Sequence, residues 1–183
     1  MPQHLMFDLE TLGTSPGCVV LALGAYAFDP AGDDAVFDPA RGFYETIDVP
    51  DQMERGLGID WSTLQWWAQQ SDEARAANFN PPTAPFMLEG VAQRFAAWVA
   101  LLGDGVQVWC NGASFDFPIL KAAFQKVGQG LPWEFYNERD ARTIFNLARV
   151  RSKKHGTAHT ALMDSWAQVE ALQRGLRKIR VAP

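Results

Sequence analysis

Cysteine is scarce in this chain of 183 residues, which contains only Cys18 and Cys110. Two cysteines make no disulfide framework of the kind small secreted domains rely on, and a reducing cytoplasm is the expected compartment. No apolar run approaches the ~18 residues of a membrane span. The first residues carry neither a basic n-region nor a long apolar h-region, so a signal peptide is not expected. Internal repeats and low-complexity tracts are absent as well. Basic residues are outnumbered, 16 against 21 acidic, for a net charge of −5. That balance ordinarily argues against a nucleic-acid partner.

What is present changes that last reading. Residues 1–138 hold 6 Lys/Arg against 18 Asp/Glu, a net of −12, whereas residues 139–183 hold 10 against 3, a net of +7. An acidic region able to hold cations thus precedes a basic one able to meet phosphate, although solvated helix faces give the same count. Apolar residues at 48% and charged residues at 20% mark a globular protein. A chain of this length buries roughly 70% of its unfolded surface, enough to fold without disulfides or structural metal. A single domain over residues 1–183 is expected.

The pattern predicts strands first and then strands alternating with helices. Residues 4–8 read as a buried strand. Residues 19–28 form a second, broken by Gly24 and ended by Asp29-Pro30, and residues 42–49 a third, closed by Pro50. Short connections make these an antiparallel meander. Ser62 is placed as the cap of a helix carrying Leu64, Trp66 and Trp67, and Ser71 as the cap of another. Helical spacing runs through 86–102 up to Gly103 and again through 117–127, on either side of an apolar strand at 106–110. A last strand over 133–139, a helix over 140–149, a basic loop over 151–158 and an amphipathic helix over 161–176 complete the chain. The fold class is a mixed α/β sheet flanked by helices.

Three short motifs carry chemistry. Asp8 and Glu10 end the first strand two residues apart, and alternation sends both carboxylates to one face. Without a cation such a pair would repel, and one member would be pushed toward protonation. Asp116 follows the middle strand in Asn111-Gly112-Ala113-Ser114-Phe115-Asp116, a position equally suited to a helix N-cap. His159 and Asp164 lie five apart, about 140° on a regular helix, so they share a centre only if His159 sits in the loop before it. Each motif alone has a bland alternative: a solvated strand end, a cap, a surface histidine, a carboxylate offsetting the helix dipole.

Taken in order, the three motifs resemble the DEDDh 3′→5′ exonuclease superfamily, which has a ribonuclease-H-like fold. The resemblance spans essentially the whole chain. Phe7-Asp8-Leu9-Glu10-Thr11 and the His159-to-Asp164 spacing match well. The chain's length, Trp66-Trp67 and Arg139-Asp140-Ala141-Arg142-Thr143 further resemble small stand-alone exonucleases of bacteria and phages. The resemblance implies that Asp8, Glu10, Asp116 and Asp164 hold two divalent ions, Mg²⁺ or Mn²⁺, and that His159 is the general base. Hard cations favour oxygen ligands, and a pair of them can clamp both oxygens of an in-line displacement at phosphorus. An imidazole with an unperturbed pKa near 6.5 suits proton abstraction near neutrality.

The same resemblance places Thr11, Leu12 and Gly13 beside the terminal nucleotide, with Leu12 as a wedge and Gly13 permitting close backbone approach. It adds Asn111, Phe115 and Trp66 to the substrate contacts. Trp66 and Trp67 cannot face the same way on a helix, so one belongs to the core, and base stacking or core packing is open for the other. Asp140 reads as an N-cap and not as a fifth ligand, while Arg149, Arg151, Lys153 and Lys154 can meet a phosphate backbone. His155 is the rival to His159. The expected activity is hydrolysis of single-stranded RNA or DNA from the 3′ end to nucleoside 5′-monophosphates. The alternatives are a non-catalytic binding domain of the same fold and a dinucleotide-specific phosphodiesterase. No accessory nucleic-acid domain is seen in the sequence, which leaves processivity to a partner or a homodimer.

Overall fold

Alternation along the first strand sends its side chains into two cores, one on each face of the sheet. In β1 (His4–Thr11) Leu5, Phe7 and Leu9 enter one apolar core, and Met6 enters the other. Asp8 and Glu10 share the face of Met6. The computed structural model describes residues 4–33, 35–153 and 160–181. It contains a five-stranded sheet in the order β3-β2-β1-β4-β5. β2 (Val20–Phe28) and β3 (Gly42–Thr46) continue antiparallel from β1, whereas β4 (Gln107–Cys110) and β5 (Glu138–Asp140) run parallel to it. The chain segments leaving the parallel strands therefore gather at one edge of the sheet, beside the end of β1 that carries the acids.

Five helices serve the Phe7 face: α1 (Val49–Glu54), α2 (Trp61–Ala68), α3 (Asp72–Phe79), α4 (Leu88–Ala100) and α5 (Asp116–Gln125). Leu88, Val91, Phe95 and Val99, spaced three and four apart, turn the α4 stripe into the core alongside Phe117, Leu120 and Phe124 of α5. The Met6 face is covered by α6 (Ala141–Ala148) and α7 (Ala161–Val181), through Phe145, Trp166, Val169 and Leu172. This is the mixed, helix-flanked sheet expected from the pattern, with its early antiparallel meander. No helix among the described residues is long and apolar enough to cross a membrane.

Several element boundaries differ from the expectation, each for a local reason. β1 continues past Asp8 to Thr11, because Asp8 pairs with Gly24 and Glu10 with Ala22. β2 is not broken at Gly24. The first turn of α7 lies directly on the strand there, and any Cβ on residue 24 would overlap the backbone of Ala161 and Leu162. The Ser165 hydroxyl donates to the Gly24 carbonyl at 3.1 Å, fastening the helix to this point.

β3 stops at Thr46, and the residues expected to lengthen it start a helix instead. The Asp48 carboxylate accepts from the Asp51 N–H at 2.7 Å as the α1 N-cap, and Pro50 sits in the first turn, where its missing N–H costs nothing. The α2 cap is Asp60 and not Ser62, although Asp60 directs its carboxylate to the N–H of Thr14 at 3.2 Å. Phe86 lies outside α4, in an isolated bridge with Ile47. Of 133–139, only the end is strand, entered through a 3₁₀ turn at Phe135–Asn137. α7 runs on to Val181, beyond the expected end at 176.

Candidate active site

Carboxylates from a strand and a helix meet at the edge that Gly24 opens. Asp8, Glu10 and Asp164 each offer an oxygen within 4.8 Å of the other two. β1 supplies the first pair through its alternation, and the first turn of α7 supplies the third. One helical turn beyond Asp164, Gln168 donates its Nε2 to Asp8 Oδ1 at 2.8 Å. Gln168 is only 6% exposed, and its Oε1 has no hydrogen-bond partner among the described residues.

Asp116 approaches from the other side, on the first residue of α5 directly after the β4 turn. It does not act as the helix N-cap, a position held by Phe115. Its carboxylate accepts from its own N–H and from the N–H of Leu9, and it also accepts from the Cys110 thiol. These contacts tie the start of α5 to the end of β1. Burial is the main influence on this group, raising its pKa from 3.8 to about 7 against the opposing pull of Cys110 and the Arg142 charge. Asp8 is raised well above the ordinary carboxylate range, first by burial and then by the charges of Asp116, Glu10 and Asp164, with Gln168 opposing. Burial and Glu10 together push the Tyr44 phenol up to about 12. Asp8 and Asp116 thus belong to one electrostatic unit with Glu10 and Asp164, and on these two negative charge is costly.

Arg142 reaches this unit from α6. Its Nη2 donates to the Asn111 carbonyl at 2.7 Å, passing over Gly112, whose φ of +133° and missing Cβ admit the guanidinium. The adjacent Asp140 caps α6 as expected, accepting from the Arg142 N–H at 2.9 Å.

A cleft of about 370 Å³ opens beside Glu10, lined by Thr11, Gly13, Trp66 and Phe115 among others. The tryptophan pair divides its roles. Trp67 is 2% exposed and donates its Nε1 to the Thr11 carbonyl at 2.9 Å, holding the end of β1. Trp66 is 43% exposed and meets Trp67 edge to face. Leu12 departs from its expected place as a wedge: it is 2% exposed and packed in the core on the Phe7 face, so it offers no surface to a base. Asn111 is outside the cleft lining, and its carbonyl serves Arg142. The thrust of the Thr11-to-Gly13 turn is kept by the Thr11 hydroxyl, which donates to the Gly13 carbonyl at 2.7 Å. His159, His155 and Lys154 lie outside the described residues.

Residues 3–176 match the family described as the 3′-5′ exoribonuclease Rv2179c-like domain. The chain belongs to this family. An exodeoxyribonuclease of Enterobacteria phage T4 is 31% identical over 163 residues, covering 75% of this chain and 68% of the phage protein. Solved structures share the fold of this Rv2179c-like domain at low identity. The zinc-bound form of the E. coli exonuclease I complex with single-stranded DNA gives a TM-score of 0.59 at 16% identity, covering 92% of this chain and 39% of that one. Cell-death related nuclease 4 gives 0.58 at 14% identity, covering 97% and 64%. The RNase domain of yeast Pop2 gives 0.51 at 12%, covering 96% and 77%. The expected 3′→5′ exonuclease class and ribonuclease-H-like fold are thus upheld.

Gln168, Tyr44, Arg142 and Cys110 act on the acids although the sequence motifs do not point to them in that role. Gln168 carries a usable signal, because its i+4 spacing from Asp164 places both on one helix face. Cys110, Arg142 and Tyr44 carry none, since their closeness to the acids arises from strand pairing and helix placement across the fold.

Proposed function

We propose that this Rv2179c-like domain is a divalent-metal-dependent enzyme removing nucleoside 5′-monophosphates from single-stranded 3′ ends. The observation carrying this reading is the cluster of Asp8, Glu10 and Asp164, whose oxygens lie within 4.8 Å of one another, with Asp116 near enough for its charge to act on Asp8. Burial raises the pKa of Asp8 and of Asp116, and the neighbouring charges raise Asp8 further. A site that disfavours its own negative charge, and whose donors are hard oxygens, fits Mg²⁺ or Mn²⁺. Asp8, Glu10, Asp116 and Asp164 would hold two such ions. Bound there, the ions supply charge neutralisation for the attacking and leaving oxygens at phosphorus.

The chain's own groups do the remainder. An imidazole nitrogen of His159 takes the proton of the attacking water, which requires its neutral form. Trp66 and Phe115 offer aromatic faces to the terminal base in the cleft, where stacking contributes about 1–3 kcal/mol per base. Gly13 does not serve the close approach expected of it: a Cβ there would lie 2.5 Å from the Cys18 Cβ and 2.9 Å from an Asp60 carboxylate oxygen, so glycine is set by packing of the turn that lines the cleft. Gln168 fixes the rotamer of Asp8 while adding no fifth negative charge. Gln168→Leu, which keeps the bulk and removes the donor, is expected to weaken Mn²⁺ binding or turnover by about 10–100-fold, the usual cost of losing a group behind a metal ligand. The Mn²⁺ concentration giving half-maximal thermal stabilisation checks this, and an unchanged midpoint with unchanged turnover would refute it.

Digestion of end-labelled single strands of RNA and DNA tests the reading itself. With Mg²⁺ or Mn²⁺, a 5′-labelled strand is expected to shorten one nucleotide at a time, and a 3′-labelled strand to lose its label as mononucleotide at the outset. EDTA should stop both reactions. Comparing the two sugars decides between the ribonuclease in the family's description and the deoxyribonuclease of the phage relative. Release of a 5′ label first, or undiminished digestion in EDTA, would overturn the proposal, and cleavage of dinucleotides alone would replace single-strand degradation with the narrower phosphodiesterase.

A further inference from the structure

Arg149 occupies a backbone conformation that its side chain does not favour. It ends α6 at φ 52°, ψ 50°, and it is the one non-glycine residue with positive φ among the described residues. The Val150 N–H reaches back to the Phe145 carbonyl at 3.0 Å, closing the helix in a left-handed cap. Glycine is the usual residue at this point because an L side chain there is strained. An arginine here is worse for the cap, and it puts a guanidinium at the rim of an open groove.

That groove, about 310 Å³, is lined by Phe145, Asn146, Arg149, Val150 and Arg151, with no carboxylate among them. Arg149 and Arg151 are exposed, and neither makes an ion pair among the described residues. Arg174 of α7 donates to the Arg151 carbonyl at 3.0 Å and holds this segment against the helix. The packing is close at Gly175, where a Cβ would lie 3.0 Å from Ile144, 3.3 Å from Val150 and 3.4 Å from Ala148. The groove therefore flanks α7 on the sheet face that carries Asp8 and Glu10. Gly175 is eleven residues beyond Asp164, about 16 Å along a helix rising 1.5 Å per residue.

We infer that this groove is a second nucleic-acid site, in which Arg149 and Arg151 bind the phosphodiester backbone of a single strand several nucleotides upstream of the 3′ end. The inference rests on the proposed exonuclease reading for the position of that end. The free guanidiniums supply the charge for phosphate, and Phe145 and Val150 give the groove an apolar wall. A substrate too short to reach the groove gains nothing from it.

Arg149→Gly separates binding from folding, because glycine suits the left-handed cap. Its melting temperature should equal or exceed that of the native chain. Arg151→Ser removes the second charge outside the helix. Binding of a fluorescent single strand of twenty nucleotides is followed by anisotropy in EDTA across a salt series, so no turnover is needed. Each arginine lost should reduce the slope of log K against log salt by about 0.7 and weaken binding about fivefold at 0.1 M salt. Turnover of a dinucleotide should be unchanged in the double variant. An unaltered salt slope in the double variant overturns the groove and leaves the exonuclease reading intact. Lost dinucleotide turnover in a normally melting variant also overturns it, by showing that these arginines serve the reacting end. A native chain that degrades no strand, yet shows the expected slopes, would keep the groove and sink the exonuclease reading.

Discussion

His159→Ala is expected to lower turnover by about 10²–10⁴-fold, the range typical for loss of a general base, while leaving metal-dependent stabilisation in place. In the proposed site the imidazole moves a proton, and the four carboxylates hold the metals, so its removal spares every oxygen donor. Asp164→Ala should behave differently and lower metal affinity and turnover together, because it deletes one of three oxygens that lie within 4.8 Å of each other. His155→Ala serves as the control and should remain close to the native rate. The pH–rate profile should rise as the imidazole loses its proton. Carboxyl titration also produces a limb, through metal binding, so the profiles are compared at saturating Mn²⁺. There the limb should vanish from the residual activity of His159→Ala. A more severe effect of His155→Ala would exchange the roles of the two histidines.

The hydrophobic pattern was enough to reach a mixed sheet flanked by helices, and the ribonuclease-H-like fold came from the resemblance that the three ordered motifs carry. Strand 1, the middle strand and the final helix were legible from their apolar runs and helical spacing. α1 was not, since Pro50 reads equally as the end of a strand and as the first turn of a helix. Gly24 was read as an interruption, whereas its purpose is to admit a helix 137 residues later in the chain, at Ala161. Long-range packing of this sort leaves no trace in local periodicity. Leu12 fell to the same limit: its apolar side chain suits a base or a core equally, and only the path of the turn after β1 sends it inward. The division between Trp66 and Trp67 followed from the Thr11 carbonyl, which takes the indole N–H of Trp67 and leaves Trp66 at the cleft.

Loss of metal should destabilise the protein, and more so as the pH rises. A carboxyl whose pKa is raised on folding binds its proton more tightly in the folded chain, so its contribution is fully present below the unfolded value and is lost as the pH climbs through the folded value. For Asp116 that window extends from 3.8 to about 7. Asp8, also raised, acts in the same direction. Between pH 5 and 7 the Asp116 carboxyl alone withdraws about 2–3 kcal/mol, at 1.36 kcal/mol per pH unit. In a chain of this size that lowers the melting temperature by about 5–10 °C. Divalent ions bind the ionised acids and oppose the loss, so the stabilisation they confer should grow with pH. Asp116→Asn should flatten the metal-free dependence and blunt the response to metal.

Thermal melting at pH 5 and pH 8, in EDTA and in saturating Mn²⁺, measures the central claim that these four carboxyls form a divalent-metal site. The melting temperature in EDTA should be lower at pH 8 than at pH 5, and the rise on adding Mn²⁺ should be larger at pH 8. Equal melting temperatures in EDTA and Mn²⁺ at pH 8 would contradict it.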